Sequence, residues 1–182
     1  TIAKLHYEEA LLYYEQRKIN QAIQCIQQVY QTLIPLYHSQ KSIVPLRNSL
    51  YAETVLLDAL DLQADIYSQQ NQPKKALQVY ALCFPIEELM SSMLLYENSK
   101  IINQVRRSNR VEKCIAIYNN LYKKENKINY IEKAFQLAER TKSGVLKSEL
   151  SRIRKASRKE KQKIQELQFW NNEILKEQQK GE

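Results

Sequence analysis

The stretch Ala64–Cys83, ADIYSQQNQPKKALQVYALC, carries the spacing that decides how the whole chain reads. Within it Ala64, Tyr67, Ala76, Tyr80 and Cys83 follow one another at intervals of 3, 9, 4 and 3 residues. Toward the amino end, Ala10, Tyr13, Ala22, Ile26 and Val29 keep those intervals. Toward the carboxyl end Ile102, Val105, Cys114, Tyr118 and Leu121 keep them again, and Ala134, Leu137, Leu146, Leu150 and Ile153 keep them in degenerate form. A small residue on each of two helices lets them cross closely, and aromatic or aliphatic residues one turn away fill the space beside the crossing. The chain therefore reads as stacked antiparallel helical hairpins, about four of them, and the expected fold class is all-α.

Composition agrees. The 182 residues include two Gly and four Pro, which leaves little room for hairpin turns between strands, while Leu, Ala, Gln, Glu and Lys favour helix. The length suffices for seven or eight helices on one continuous core. No apolar run approaches the roughly 18 residues of a membrane span, and the first residues, TIAKLHYE, show no signal-peptide pattern. The missing initiator Met suggests a fragment of a longer protein. Cys25, Cys83 and Cys114 are odd in number, and the last two fall on repeat positions, so buried free thiols in a reducing cytoplasm are expected.

Local signals place the elements. The first hairpin is expected from about residue 1 to 17 and from 20 to 33. Pro35 and Pro45 bracket a loop, a long helix is expected over about 46–70, and Pro73 suits the first turn of its partner. Pro85, followed by Glu87 and Glu88, reads as the start of another helix with acids at the positive end of its dipole. Asn109 with Glu112, and Asn129 with Glu132, read as caps of helices over about 110–124 and 130–141. Ser143 and Gly144 suggest a break, giving a repeat array over 1–144 and a long amphipathic helix over 145–182 that completes the last hairpin.

That last helix is chemically distinct. Nine basic residues against Glu149 and Glu160 lie between Lys142 and Lys163, so this stretch supplies +7 of the formal net charge of +8. Beyond it Ile164, Leu167, Phe169, Trp170, Ile174 and Leu175 form an apolar stripe with no repeat partner left in the chain, suited to folding back, pairing with another copy or docking on a neighbouring domain. The basic run has three open readings: a solvated helix face, a nucleic-acid-binding segment over 152–163, or a docking surface for an acidic protein. No aromatic residues interleave its charges and no RNA-reader motif is present. The candidate docking helix comprises Arg152, Arg154, Lys155, Arg158, Lys159, Leu167, Trp170 and Ile174.

The repeat spacing resembles the tetratricopeptide repeat, which sets a small residue and then Tyr near the end of its first helix, and Ala, an aromatic and another small residue in its second. The likeness is closest at Ala64/Tyr67/Ala76/Tyr80/Cys83 and good at Ala10/Tyr13/Ala22; Ile102 and Leu146 depart from it. The offsets between Ala22, Ala76, Cys114 and Leu146 are 54, 38 and 32, where the family repeats about every 34 residues, so helix lengths must differ between units. The resemblance implies a right-handed superhelical array whose first helices line a concave groove for a peptide or partner protein. Aligned by the shared intervals, Tyr7, Tyr14, Asp58, Asp61, Asp65, Asn103 and Arg106 fall along that groove. Asp58, Asp61 and Asp65 share one helix face, and such a carboxylate row favours a basic peptide. An ordinary solvated face is the plainer reading of the same row.

A narrower likeness covers residues 132–143, EKAFQLAERTKS, followed by Leu146 and Leu150. It is similar to the helix that joins bacterial tetratricopeptide arrays to a CHAT domain, with the pattern A-F-x-x-A-E-R-x-K-[SA]; a caspase-like protease fold follows in that family. This likeness implies a scaffold that positions or regulates an effector domain beyond residue 182. His6 and His38 form no zinc-binding spacing, Gly144 and Gly181 form no phosphate cradle, and no strand end is available for a Cys–His dyad. The expectation is a cytoplasmic protein-binding module with no catalytic residues, metal or cofactor of its own. Nucleic-acid binding through 152–163 and homo-oligomerisation through 164–175 remain the alternatives.

Overall fold

The computed structural model describes residues 1–35, 37–38, 43–93, 97–141 and 162–163, with side chains left undescribed at 92–93 and 97–103. The described residues are helical apart from turns, with no strand among them. Five α-helices follow in order: α1 Ile2–Glu15, α2 Ile19–Leu33, α3 Thr54–Gln69, α4 Pro73–Met93 and α5 Glu97–Glu125. A further helical segment, α6, covers 128–141. The chain divides into two units, Thr1–Leu137 and Ala138–Glu182, and the first holds α1 to α5 and most of α6.

Helix α1 packs on α2 and α3 on α4, and the two hairpins join through α2 against α3 and α1 against α3. The repeat intervals explain why. Ala10, Ala22, Ala64 and Ala76 are all fully buried, and the residues one turn away, Ile26, Val29, Tyr80 and Cys83, are buried beside them. The interval between the two small residues is filled by the same turn in both hairpins. Arg17 N–H donates to the Tyr14 carbonyl and Lys18 N–H to the Tyr13 carbonyl, both at 2.9 Å; Asn71 and Gln72 repeat this on Ser68 and Tyr67 at 3.1 and 2.9 Å. This is the Schellman arrangement, with Arg17 (φ 59°) and Asn71 (φ 58°) in the left-handed position where Gly is usual.

Four boundaries differ from the sequence expectation. The long helix expected from residue 46 begins only at Thr54, because residues 47–49 form a 3₁₀ turn, Leu50 is extended, and the Glu53 carboxylate accepts the Val55 N–H at 3.1 Å. The connection ahead of it is tied to the core: Gln63 Nε2 donates to the Ile43 carbonyl at 3.2 Å, Tyr51 O–H to the Leu33 carbonyl at 3.0 Å, and the Tyr37 ring meets Tyr30 edge-on at 5.4 Å. Residues 36 and 39–42 of the expected loop lie outside the described residues.

Pro85 does not start a helix; it sits inside α4. Its missing N–H removes one intrahelical bond, a defect of about 3 kcal/mol in an isolated helix. Here the continuation is held by the burial of Ile86 and Glu87. Nor does Asn109 cap a helix. It lies on the exposed side of α5, which runs through it unbroken, so Val105 and Cys114 belong to one helix and the expected third hairpin is a single long helix packed on α4. Asn129 is likewise inside the first turn of α6. Among the described residues, the expected array of hairpins is thus two hairpins, a long helix and α6; the expected last helix, 145–182, lies outside them apart from residues 162–163.

The α5–α6 junction turns at Asn126, φ 50°. Glu125 binds it together, accepting from Lys74 at 2.7 Å on one oxygen and from Lys127 and the Tyr130 hydroxyl, both at 2.9 Å, on the other. These bonds, Lys74 foremost, pull the Glu125 carboxyl down to about 2 from its ordinary 4.5. A depressed carboxyl stabilises the fold above its unfolded value and ceases to do so as pH falls through the folded one. Stability is therefore expected to decline between pH 4.5 and about 2, and Glu125→Gln to flatten that part of the profile while leaving pH 7 stability slightly lower; thermal melts across the range read it directly.

Candidate functional site

Helix α3 projects Asp58, Asp61 and Asp65 from one face, and α5 projects Arg106, Arg110 and Lys113 at nearly matching steps. Each aspartate meets one cation. Arg106 Nη1 donates to Asp58 at 3.0 Å, Arg110 grips both oxygens of Asp61 with Nε at 2.6 Å and Nη2 closing the fork, and Lys113 Nζ reaches both oxygens of Asp65 at 2.7 and 2.8 Å. The flanking pairs are half exposed on the cation side, Arg106 at 47% and Lys113 at 50%. The middle one is not: Arg110 is 2% exposed.

Arg110 also donates Nη1 to Glu87 of α4, itself 2% exposed, so one guanidinium ties three helices together. Burial works against the Arg110 cation, yet the hydrogen bonds to Asp61 and the charges of its neighbours overcome it and hold the pKa above the ordinary arginine value. Burial raises the Glu87 carboxyl, with Arg110 opposing. One Glu87 oxygen, Oε2, is buried without a hydrogen-bond partner. Such a group is costly in a low-dielectric interior.

On the other side of α3, Tyr7 and Tyr14 of α1 approach the same row. Burial, then Asp58 and Glu8, pushes the Tyr7 hydroxyl up to about 12, and burial followed by Asp65 raises Tyr14. Gln69 Nε2 hydrogen-bonds the Tyr14 hydroxyl. Tyr80 of α4 donates its hydroxyl to Asp65, and Cys83 Sγ points at Asp61 at 3.7 Å. The residues expected along one wall from the sequence, Tyr7, Tyr14, Asp58, Asp61, Asp65 and Arg106, are thus neighbours; Asn103 lies in α5 with its side chain outside those described. The sequence reading missed Arg110, Lys113, Glu87 and Tyr80. A signal existed: Arg106, Arg110 and Lys113 step along a helix as the three aspartates do.

The aspartate row is accordingly not an open strip of negative charge, since each carboxylate is already bound within the chain. The three thiols are free and buried, and burial raises the pKa of each, Cys114 to about 12. Among the described residues no group of side chains has the make-up of a metal site, and no helix is long and apolar enough to cross a membrane. The expected docking residues Arg152, Arg154, Lys155, Arg158, Lys159, Leu167, Trp170 and Ile174 lie outside the described residues. No family model matches this chain, and neither a curated protein nor a solved structure is significantly similar to it.

Proposed function

We propose that this chain is a protein–protein interaction module in which tetratricopeptide-like hairpins present a polar wall to a peptide or partner protein. The observation that carries the reading is the wall itself: tyrosines from α1, aspartates from α3 and cations from α5 stand side by side, above a core whose small buried residues fix the helices beneath them. A rigid scaffold with repeated side-chain rows suits recognition, where a few anchors carry most of the affinity. The thiols argue against cysteine nucleophilic catalysis, because a buried thiol with a raised pKa is a poor nucleophile. Selection of peptides from a displayed library against the full chain tests the reading. Bound peptides should lose affinity at least tenfold, about 1.4 kcal/mol, when Tyr7, Asp58 or Arg106 is replaced by Ala. Peptides indifferent to all three would refute the wall as the site.

The module's place in a larger protein rests on the run 132–143 and its likeness to the helix preceding CHAT domains. In that setting it positions or regulates a caspase-like effector. Sequencing of the gene downstream of codon 182 should meet such a domain; an unrelated domain, or a stop shortly after, removes this part of the proposal.

A further inference from the structure

The repeat spacing sets the first two hairpins in register: Ala10 corresponds to Ala64, Tyr13 to Tyr67 and Ala22 to Ala76, at a constant offset of 54 residues. Carried along α1 and α3, the same offset matches Ile2 with Leu56, Leu5 with Ala59, Glu9 with Gln63 and Leu12 with Ile66. All four residues of α3 are fully buried. Their counterparts on α1 are not: Ile2, Leu5 and Leu12 are 65%, 70% and 57% exposed, and the Glu9 side chain 49%.

The buried set has a definite task. Residues 56, 59, 63 and 66 follow at steps of three, four and three, which puts them on one face of α3. Gln63 shows where that face points, because its Oε1 accepts the Tyr30 hydroxyl of α2 at 2.7 Å. It is the face through which the second hairpin rests on the first. The same face of α1 is therefore a stacking surface left open to solvent, three large apolar side chains around one polar group. Exposed apolar residues scattered singly are ordinary, whereas an aligned stripe marks a contact.

Its size and charge select the occupant. A helix of 14 residues is about 21 Å long and about 10 Å wide, so one face offers on the order of 200 Å². A stable complex between separate proteins needs about 800 Å² from each. A segment of the same polypeptide escapes most of the association cost, and so small a face can hold it. A second copy fits badly. Pairing α1 with α1 would bring two Glu9 carboxylates into one joint, and the Tyr30 that donates across the α2–α3 interface is already bound within each copy.

Independently of the wall, we propose that this face of α1 seats a further helical hairpin, contributed by the parent polypeptide ahead of Thr1 and stacked on α1 as α1 and α2 are on α3. One helix of that hairpin lays apolar side chains over Ile2, Leu5 and Leu12. It also sets a donor on Glu9, a cation where the Gln63 amide takes a hydroxyl, since a carboxylate forms the stronger bond with a charged donor.

Thiol labelling tests it, because Cys25, Cys83 and Cys114 are buried with raised pKa values and react slowly. Leu5→Cys and, separately, Leu12→Cys are made in the 182-residue chain and in a chain lengthened by the 54 residues encoded just ahead of Thr1. In the 182-residue chain both variants should label as exposed thiols at any protein concentration. In the lengthened chain both should label at least tenfold more slowly. Glu15→Cys is the control: its counterpart Gln69 is exposed, so it should label equally fast in the two chains. All three replaced side chains are exposed, and circular dichroism should match the parent. Equal labelling of Leu5→Cys and Leu12→Cys in the two chains would overturn the inference, as would a coding sequence that begins too close to Thr1 to hold two helices. Protection in the 182-residue chain that grows with its concentration would assign the face to a second copy and overturn it too.

Discussion

Replacing Arg110 with Ala is expected to destabilise the protein by about 3–5 kcal/mol, the range for breaking a buried ion pair by removing one member. The reason is what the substitution leaves behind. Asp61 and Glu87 would remain close together with their cation gone, and Glu87 is 2% exposed with one oxygen that already lacks a partner. Neighbouring carboxylates repel, and water reaches Asp61, which is 30% exposed, but not Glu87. Because removal also unties α5 from α3 and α4 at once, the half of α4 beyond Pro85 would lose the contact that keeps it helical. Chemical denaturation of the variant at pH 7 measures the loss.

The same prediction has a pH signature. The Glu87 carboxyl is already raised by burial, and without Arg110 the opposing influence disappears, so it rises further. A carboxyl with a raised folded pKa favours the folded state below its unfolded value and penalises it above the folded one. The Arg110→Ala deficit should therefore shrink as pH falls through that raised value toward the ordinary glutamate value of 4.5, and level off below it. Adding Glu87→Gln should recover part of the pH 7 stability, and a double substitution worse than the single one would contradict the account. Arg106→Ala and Lys113→Ala provide the contrast: their pairs are half exposed, and such pairs contribute about 0–1 kcal/mol.

How far the sequence carried depended on whether an element was dictated locally. The first two hairpins were legible because the small residues Ala10, Ala22, Ala64 and Ala76, all fully buried, are written directly into the spacing, with one turn geometry repeated between them. Pro85 and Asn109 misled for the opposite reason. Each is a good local signal for a helix start, and each is overruled by a contact distant in sequence: Glu87 and Arg110, 23 residues apart, hold α4 and α5 helical through those positions. The start of α3 at Thr54 likewise depends on Tyr51 and Gln63 reaching the carbonyls of Leu33 and Ile43. For the candidate site, the tetratricopeptide resemblance, aligned by the shared intervals, puts Tyr7, Tyr14, the aspartates and Arg106 along one wall, while the pairing of the aspartates does not show in the sequence. Charge rows are visible on a sequence, but their cancellation is visible only when the facing helix is known, and the cap signal at Asn109 splits α5 in two.

Ala76→Trp should have the other large effect. Ala76 of α4 is fully buried, as is Ala64 of α3, the helix α4 packs on, and Tyr80 and Cys83 are buried in the next turn. Interiors are packed near crystal density, so an indole has no void to enter and must push the helix axes apart. Adding a methylene or two to a tight core costs about 1–3 kcal/mol; an indole at a helix crossing should exceed that, and the variant is expected to be largely unfolded or to melt far below the parent. Ala22→Trp should behave alike at the α1–α2 crossing, because Ala22 and Ala10 are both fully buried. Ala76→Gly separates volume from helix propensity: it leaves the crossing open and costs only about 1 kcal/mol through the backbone. Equal damage from Gly and Trp would mean that helix propensity, not close approach, governs the position, and an Ala76→Trp protein with parental stability would show that the two helices do not meet at their alanines.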